Sequence, residues 1–133
     1  MAVKNLTRGV SRRNTVTYDF AVHGGATTDT YPGFTLPLGA KLIASKVKVT
    51  KTLTSGGSAT VAIALTGATI GTDVTIKTAT AYNNSFYTTG VVNTVDLSSD
   101  TNVILAEIKT LNIAIAGAAL TAGKIVVTVS YFI

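Results

Sequence analysis

Apolar and polar positions alternate with a period of two along most of the chain, and the alternation starts at Thr15. Val16, Tyr18, Phe20 and Val22 interleave with Thr15, Thr17, Asp19 and Ala21, the pattern of a strand with one buried face. His23-Gly24-Gly25 closes it, and a polar loop runs on to Pro32. Residues 33–38 form a short strand interrupted by Pro37, which cannot donate to a ladder and so places the strand at an edge or a bend. Residues 42–53 are longer, with Ile43, Val47, Val49 and Leu53 on one side and Lys46, Lys48, Thr50 and Thr52 on the other. Lys51 falls on the wrong side, which predicts a bulge or a strand end there. Ser55-Gly56-Gly57-Ser58 reads as a hairpin turn, after which Ala59, Val61, Ile63 and Leu65 resume the alternation.

Further along, residues 66–73 are turn-rich, and residues 74–81 fit either a strand or a single helical turn. Residues 81–90 (AYNNSFYTTG) form a loop carrying three aromatics and two asparagines. Residues 91–97 and 103–108 read as strands separated by Ser98-Ser99-Asp100. Leu111, Ile113 and Ile115 make another, and a small-residue link leads to a last one through Ile125, Val127, Val129 and Tyr131. About eight strands with glycine-rich connections and no amphipathic helix predict an all-β fold: an antiparallel, jelly-roll-like β-sandwich. Its core is expected to hold Val16, Tyr18, Phe20, Val47, Val49, Val61, Ile63, Leu65, Ile113, Ile115, Val127 and Val129. Residues 1–14 have no sustained period and no acid, so they are expected to form an extended N-terminal arm ahead of a single domain over 15–133.

Composition sharpens this. The chain has 133 residues, no cysteine, one histidine and one glutamate. Disulfides, thiolate metal sites and a cysteine nucleophile are therefore excluded. His23 has no second histidine, cysteine or glutamate near it in sequence, and Asp73, Asp96 and Asp100 do not form an aspartate-rich calcium loop. No catalytic residue, metal ligand or cofactor is expected. Only 13% of residues are charged, against ~25% in an average soluble domain, yet no apolar run approaches the ~18–20 residues that cross a bilayer. Residues 1–25 show no apolar signal core, and no membrane association is expected. The excess apolar surface is expected to face other protein. In particular, Ala62, Ala64, Ala114 and Ala116 occupy outward strand positions where a solvated sheet would carry Thr, Lys or Glu. They predict an oligomer-facing sheet.

Charge is uneven. Residues 1–51 hold eight Lys and Arg against two Asp, whereas residues 52–133 hold three Lys against four acids. Lys4, Arg8, Arg12 and Arg13 make the arm a candidate partner-binding segment. It could tether onto an acidic protein surface or neutralise phosphates, but no aromatics interleave with it, so base stacking is not supported. Tyr82, Asn83, Asn84, Phe86 and Tyr87 form a second candidate site. The rings could stack on a sugar while the amides bind its hydroxyls, or they could anchor an interface.

Leu36-Pro37-Leu38-Gly39-Ala40, the Lys/Val strand after it, residues 54–57, the Ala/Val strand and Leu120-Thr121-Ala122-Gly123-Lys124-Ile125-Val126-Val127 together resemble small β-sandwich virion proteins of tailed bacteriophages. In that family a Thr-Ala-Gly-Lys turn feeds the C-terminal strand. The resemblance covers about residues 34–66 and 120–131 and stops in the middle, at 67–108. It implies a capsid decoration (cement) protein that binds the major capsid protein or another virion protein, commonly as a homotrimer on the outer shell and made in the host cytoplasm. The alternatives are a lectin-like virion module using residues 81–90 for host glycans and a nucleic-acid-associated structural protein using the arm.

Overall fold

The computed structural model describes residues 11–24, 30–69, 72–100 and 103–133. In chain order the elements are β1 (Ser11–Asp19), a single helical turn α1 (Phe20–His23), β2 (Thr30–Leu36), β3 (Lys41–Ser55), β4 (Thr60–Thr66), β5 (Val74–Ala81), β6 (Val92–Asp96), β7 (Lys109–Ala116) and β8 (Leu120–Phe132). The eight strands make two four-stranded sheets, β1-β8-β3-β6 and β2-β7-β4-β5, and every strand pair is antiparallel. The inner faces meet in one core. Tyr18, Leu42, Val47, Val49, Ile125, Val127 and Val129 come from the first sheet, and Leu36, Val61, Ile63, Leu65, Leu111, Ile113 and Ile115 from the second. The alternation thus specifies a β-sandwich, as expected from period two with one buried face per strand.

Several local readings change. The first strand stops at Asp19 rather than continuing through Val22, because the Asp19 carboxylate accepts the Ala21 N–H at 3.0 Å and caps α1. That helical turn leaves Val22 76% exposed, and Val16 and Phe20 pack at the core margin, half-buried. At its other end β1 starts at Ser11, paired with Phe132, so Arg12 and Arg13 lie in a sheet strand. Residues 1–10 of the expected arm, with Lys4 and Arg8, lie outside the described residues. The stretch 30–36 is strand where the sequence predicts a polar loop as far as Pro32, and Pro37 follows its end instead of interrupting it; β2 is an edge strand, which accommodates Pro32. Residues 55–58 turn the chain, but between β3 and β4 of different sheets, so they close no hairpin. Residues 103–108 supply only a bridge between Ile104 and Lys41. Residues 74–81 are strand β5.

Strand β3 shows why a simple two-fold alternation misassigns some faces. Leu42 pairs with Tyr131 and Ala44 with Ser130, so Ile43 is an extra residue, and Leu42 rather than Ile43 points inward. Register shifts also flank Lys51, where the sequence predicts a bulge. Lys51 pairs with Lys124 and Thr54 with Ala122, leaving Thr52 and Leu53 opposite the single residue Gly123. This returns Leu53 to the core, 3% exposed. Gly123 has φ 137°, and a Cβ there would collide with Leu53, whose Cα would lie at 3.0 Å. Thr121-Ala122-Gly123-Lys124 is therefore a bulged part of β8 and not a turn before it.

Candidate interaction faces

The register between strands fixes what each sheet presents outward, because directly paired residues point to the same side. On the second sheet, Thr30, Ala114 and Ala62 form one row, and Pro32, Asn112, Ala64 and Thr75 another. Thr35, Thr110 and Thr66 form a third, and Ala116 pairs with Thr60. The structure thus brings Ala62, Ala64, Ala114 and Ala116 onto one face. The sequence could only place them on two separate strands. These rows contain no ionisable side chain. Several of their polar groups are engaged within the sheet: the Asn112 amide donates to the Thr66 hydroxyl, the hydroxyls of Thr35 and Thr110 lie 3.4 Å apart, and the Thr60 hydroxyl donates to the Ala116 carbonyl. A low relief of alanines and self-paired hydroxyls costs little to desolvate, which suits a protein contact.

The outward rows of the first sheet differ in kind. Arg13, Ser130, Ala44 and Asp96 make one, Thr15, Thr128, Lys46 and Thr94 the next, and Thr17, Val126, Lys48 and Val92 the third. Beyond them Asp19, Lys124 and Lys51 align, and at the opposite end Ser11, Phe132 and Lys41. Six cations therefore share this face with two carboxylates. Both carboxylates have intramolecular partners. Asp19 sits 3.8 Å from Lys124, and Asp96 accepts the Ser98 N–H at 2.9 Å and its hydroxyl at 2.6 Å. Those two Ser98 bonds hold the Asp96 carboxyl below its usual range. Lys46 and Lys48 are exposed on either side of the fully buried Val47.

The aromatic loop is largely committed to the fold. Asn84 accepts the Phe86 N–H at 2.9 Å and caps a 3-10 turn over Ser85–Tyr87. Tyr87 is 3% exposed and donates to the Val61 carbonyl at 2.8 Å, and burial pushes its phenol strongly upward. Phe86 meets Tyr87 edge-on at 5.1 Å, and the Lys77 ammonium lies 4.6 Å from its ring centre. Tyr82 and Asn83 remain, lining two adjoining shallow grooves of about 350 and about 340 Å³. His23 accepts the Asp19 N–H at its Nδ1, 3.0 Å away, and stacks on Tyr18. Among the described residues no cluster of His, Asp or Glu could hold a metal ion, and no helix is long and apolar enough to cross a membrane.

One feature escaped the sequence pattern. Lys109 occupies an inward position of β7 and is 1% exposed. Its ammonium donates to the Thr72 hydroxyl at 2.9 Å and lies 3.6 Å from Glu107. Glu107 in turn accepts the Thr69 N–H at 3.0 Å. The contacts with Thr69, aided by Lys109, hold its carboxyl below the usual range. A lysine at the start of an alternating run reads as a strand boundary, and only the acid two residues earlier hints at a partner for a buried ammonium.

Comparison with known proteins adds to this geometry. No protein-family model matches the chain, and no curated protein matches it. Solved structures do share the fold. A chain of the acidic stable capsid structure of Helicobacter pylori bacteriophage KHP30 superposes with a TM-score of 0.65 at 15% identity, over 96% of this chain and 90% of that one. A chain of the cyanophage Pam1 capsid asymmetric unit gives 0.63 at 18%, over 96% and 87%. A chain of the capsid of Ralstonia phage GP4 gives 0.57 at 17%, over 91% and 84%. At these identities the likeness is one of fold. Its coverage is mutual, so each neighbour is a chain of similar size and not a large protein with one such domain.

Proposed function

We propose that this chain is a non-enzymatic structural protein of a bacteriophage virion, and specifically a decoration protein that attaches to the major capsid protein lattice. The observation that carries the reading is the set of alanine and threonine rows on the second sheet, which hold no ionisable side chain, on a sandwich whose fold recurs in chains of three phage capsids. That face, with Ala62, Ala64, Ala114 and Ala116, joins copies of the chain. The trimer is the stoichiometry that the family resemblance implies. The strand orders β1-β8-β3-β6 and β2-β7-β4-β5 support a jelly roll, since among these strands only β4 and β5 are both consecutive in sequence and paired, and every other pairing joins strands distant in the chain. The similar size of the fold neighbours favours an accessory subunit over a shell-forming one. A subunit that binds only the assembled lattice stabilises it by mass action, which is what cementing requires, and no catalytic group takes part. Lys4, Arg8, Arg12 and Arg13 are proposed to assist attachment. The glycan reading is not favoured, because the fold has already engaged Asn84, Phe86 and Tyr87.

The test is composition and effect. Particles of the encoding phage, purified through a density gradient, are expected to contain the protein in stoichiometric amount on their outer surface, and particles lacking it are expected to disrupt at lower temperature. Recovery of the protein only in the soluble fraction of infected cells would remove the virion assignment.

A further inference from the structure

The basic outer face of the first sheet is a second interaction surface. Resting on the virion reading and deepening it, we propose that this face docks onto an acidic protein surface, with Lys46 and Lys48 at its centre and Arg13, Lys41 and Lys51 around them. Three observations lead there. The cations are gathered by topology: the pairings that align β1, β8, β3 and β6 bring Arg13, Lys124 and the four β3 lysines onto one face, although 111 positions separate Arg13 from Lys124 in sequence. Lys51 even pairs directly with Lys124. Like charges in that position are destabilising, and Asp19 relieves only Lys124. Stability alone does not account for such a cluster on a chain that carries few charges.

The shape of the face favours protein over nucleic acid. Its central rows are threonine, valine and lysine, with no aromatic side chain on which bases could stack and a single arginine for bidentate phosphate contacts. Lys46 and Lys48 are two residues apart on one strand, so they stand ~7 Å from each other. Carboxylates alternating on a partner's strand recur at that same spacing. Val126 and Val92, flanking Lys48, add apolar contact between the charges. Ion pairs there would be partly desolvated, the setting in which they fix register and add affinity. The opposite face of the sandwich stays free for self-association.

The proposal is tested with the full chain and the variant K46E/K48E, both confirmed as folded by circular dichroism. Binding of each to fluorescent poly-L-glutamate and to a duplex DNA of equal charge is measured by anisotropy over roughly 50 to 300 mM NaCl. Binding to particles lacking the protein is measured by co-sedimentation. The expected result is parent binding to polyglutamate and to particles, both weakened roughly tenfold or more by K46E/K48E and both falling with salt, with the oligomeric state unchanged. Equal particle binding by parent and variant would overturn the proposal, as would tighter parent binding to DNA than to polyglutamate. Loss of self-association in K46E/K48E would also overturn it, by making a second copy the partner. Parent binding to polyglutamate through these lysines without any binding to particles would uphold the acidic-partner surface and reject the virion reading.

Discussion

Tyr87 and Tyr18 show how single side chains decide what their segments can do. Tyr87 donates its hydroxyl to the Val61 carbonyl inside the core, so Tyr87→Phe is expected to lower stability by about 1 kcal/mol in urea denaturation. Tyr18 donates to the Gly24 carbonyl at 2.5 Å. Burial, with Tyr31 and Asp19 nearby, pushes its phenol up to about 12 from 10.0. Because the folded chain favours the neutral phenol, this stabilisation is intact below the unfolded value near 10.0 and is lost as pH rises toward about 12. Urea midpoints measured at increasing alkaline pH should therefore fall from near pH 10 upward, and Tyr18→Phe should flatten that fall. The sequence placed Tyr18 on the buried face of a strand and Tyr87 in a loop. It could not show which were satisfied internally, because the partner carbonyl of Tyr87 lies 26 positions away.

Among the elements, the alternating strands were legible from residue order, and the places where they slip were not. Val47, Val49, Val61, Ile63, Leu65, Ile113, Ile115, Val127 and Val129 are all buried, as period two predicts. Lys51 announced a bulge because a charge stood at an inward position. The bulge at Ile43 went unannounced, since leucine and isoleucine in succession fit either register. The Gly123 bulge depends on a missing side chain, and Gly123→Ala is expected to cost about 1–3 kcal/mol in thermal or urea unfolding through its positive φ and the clash with Leu53. Strand β7 begins with a buried cation instead of a boundary. Glu107→Ala should lower the denaturation midpoint by stranding the Lys109 ammonium, whereas Lys109→Met should stay within about 1 kcal/mol of the parent. The double variant should recover most of the loss, and a double-mutant cycle in urea measures it. If the two losses simply added, the pair would not be coupled.

For the whole molecule, the decisive fact is that its two outer faces are chemically unlike, one with paired alanine and threonine rows that hold no ionisable side chain and one cationic. The alanines of the first were visible as anomalies in the alternation. The cationic face was visible only in part, as an excess of charge in the first 51 residues, because assembling it needs the partnership of β1, β8 and β3. Ala62→Glu combined with Ala114→Glu places two carboxylates side by side on the proposed self-contact face, and sedimentation is expected to report monomers while circular dichroism stays that of the parent. The first pairing of the fold carries one further consequence. Ser11 lies opposite Phe132, and nine residue pairs zip β1 to β8 from there. Tension applied at those two neighbouring positions would peel the ladder apart one rung after another, the mechanically weak direction for antiparallel strands. A load spread over the two sheet faces would instead strain many rungs of the ladder at once, so the same strands that unzip from their ends hold firm when gripped broadside.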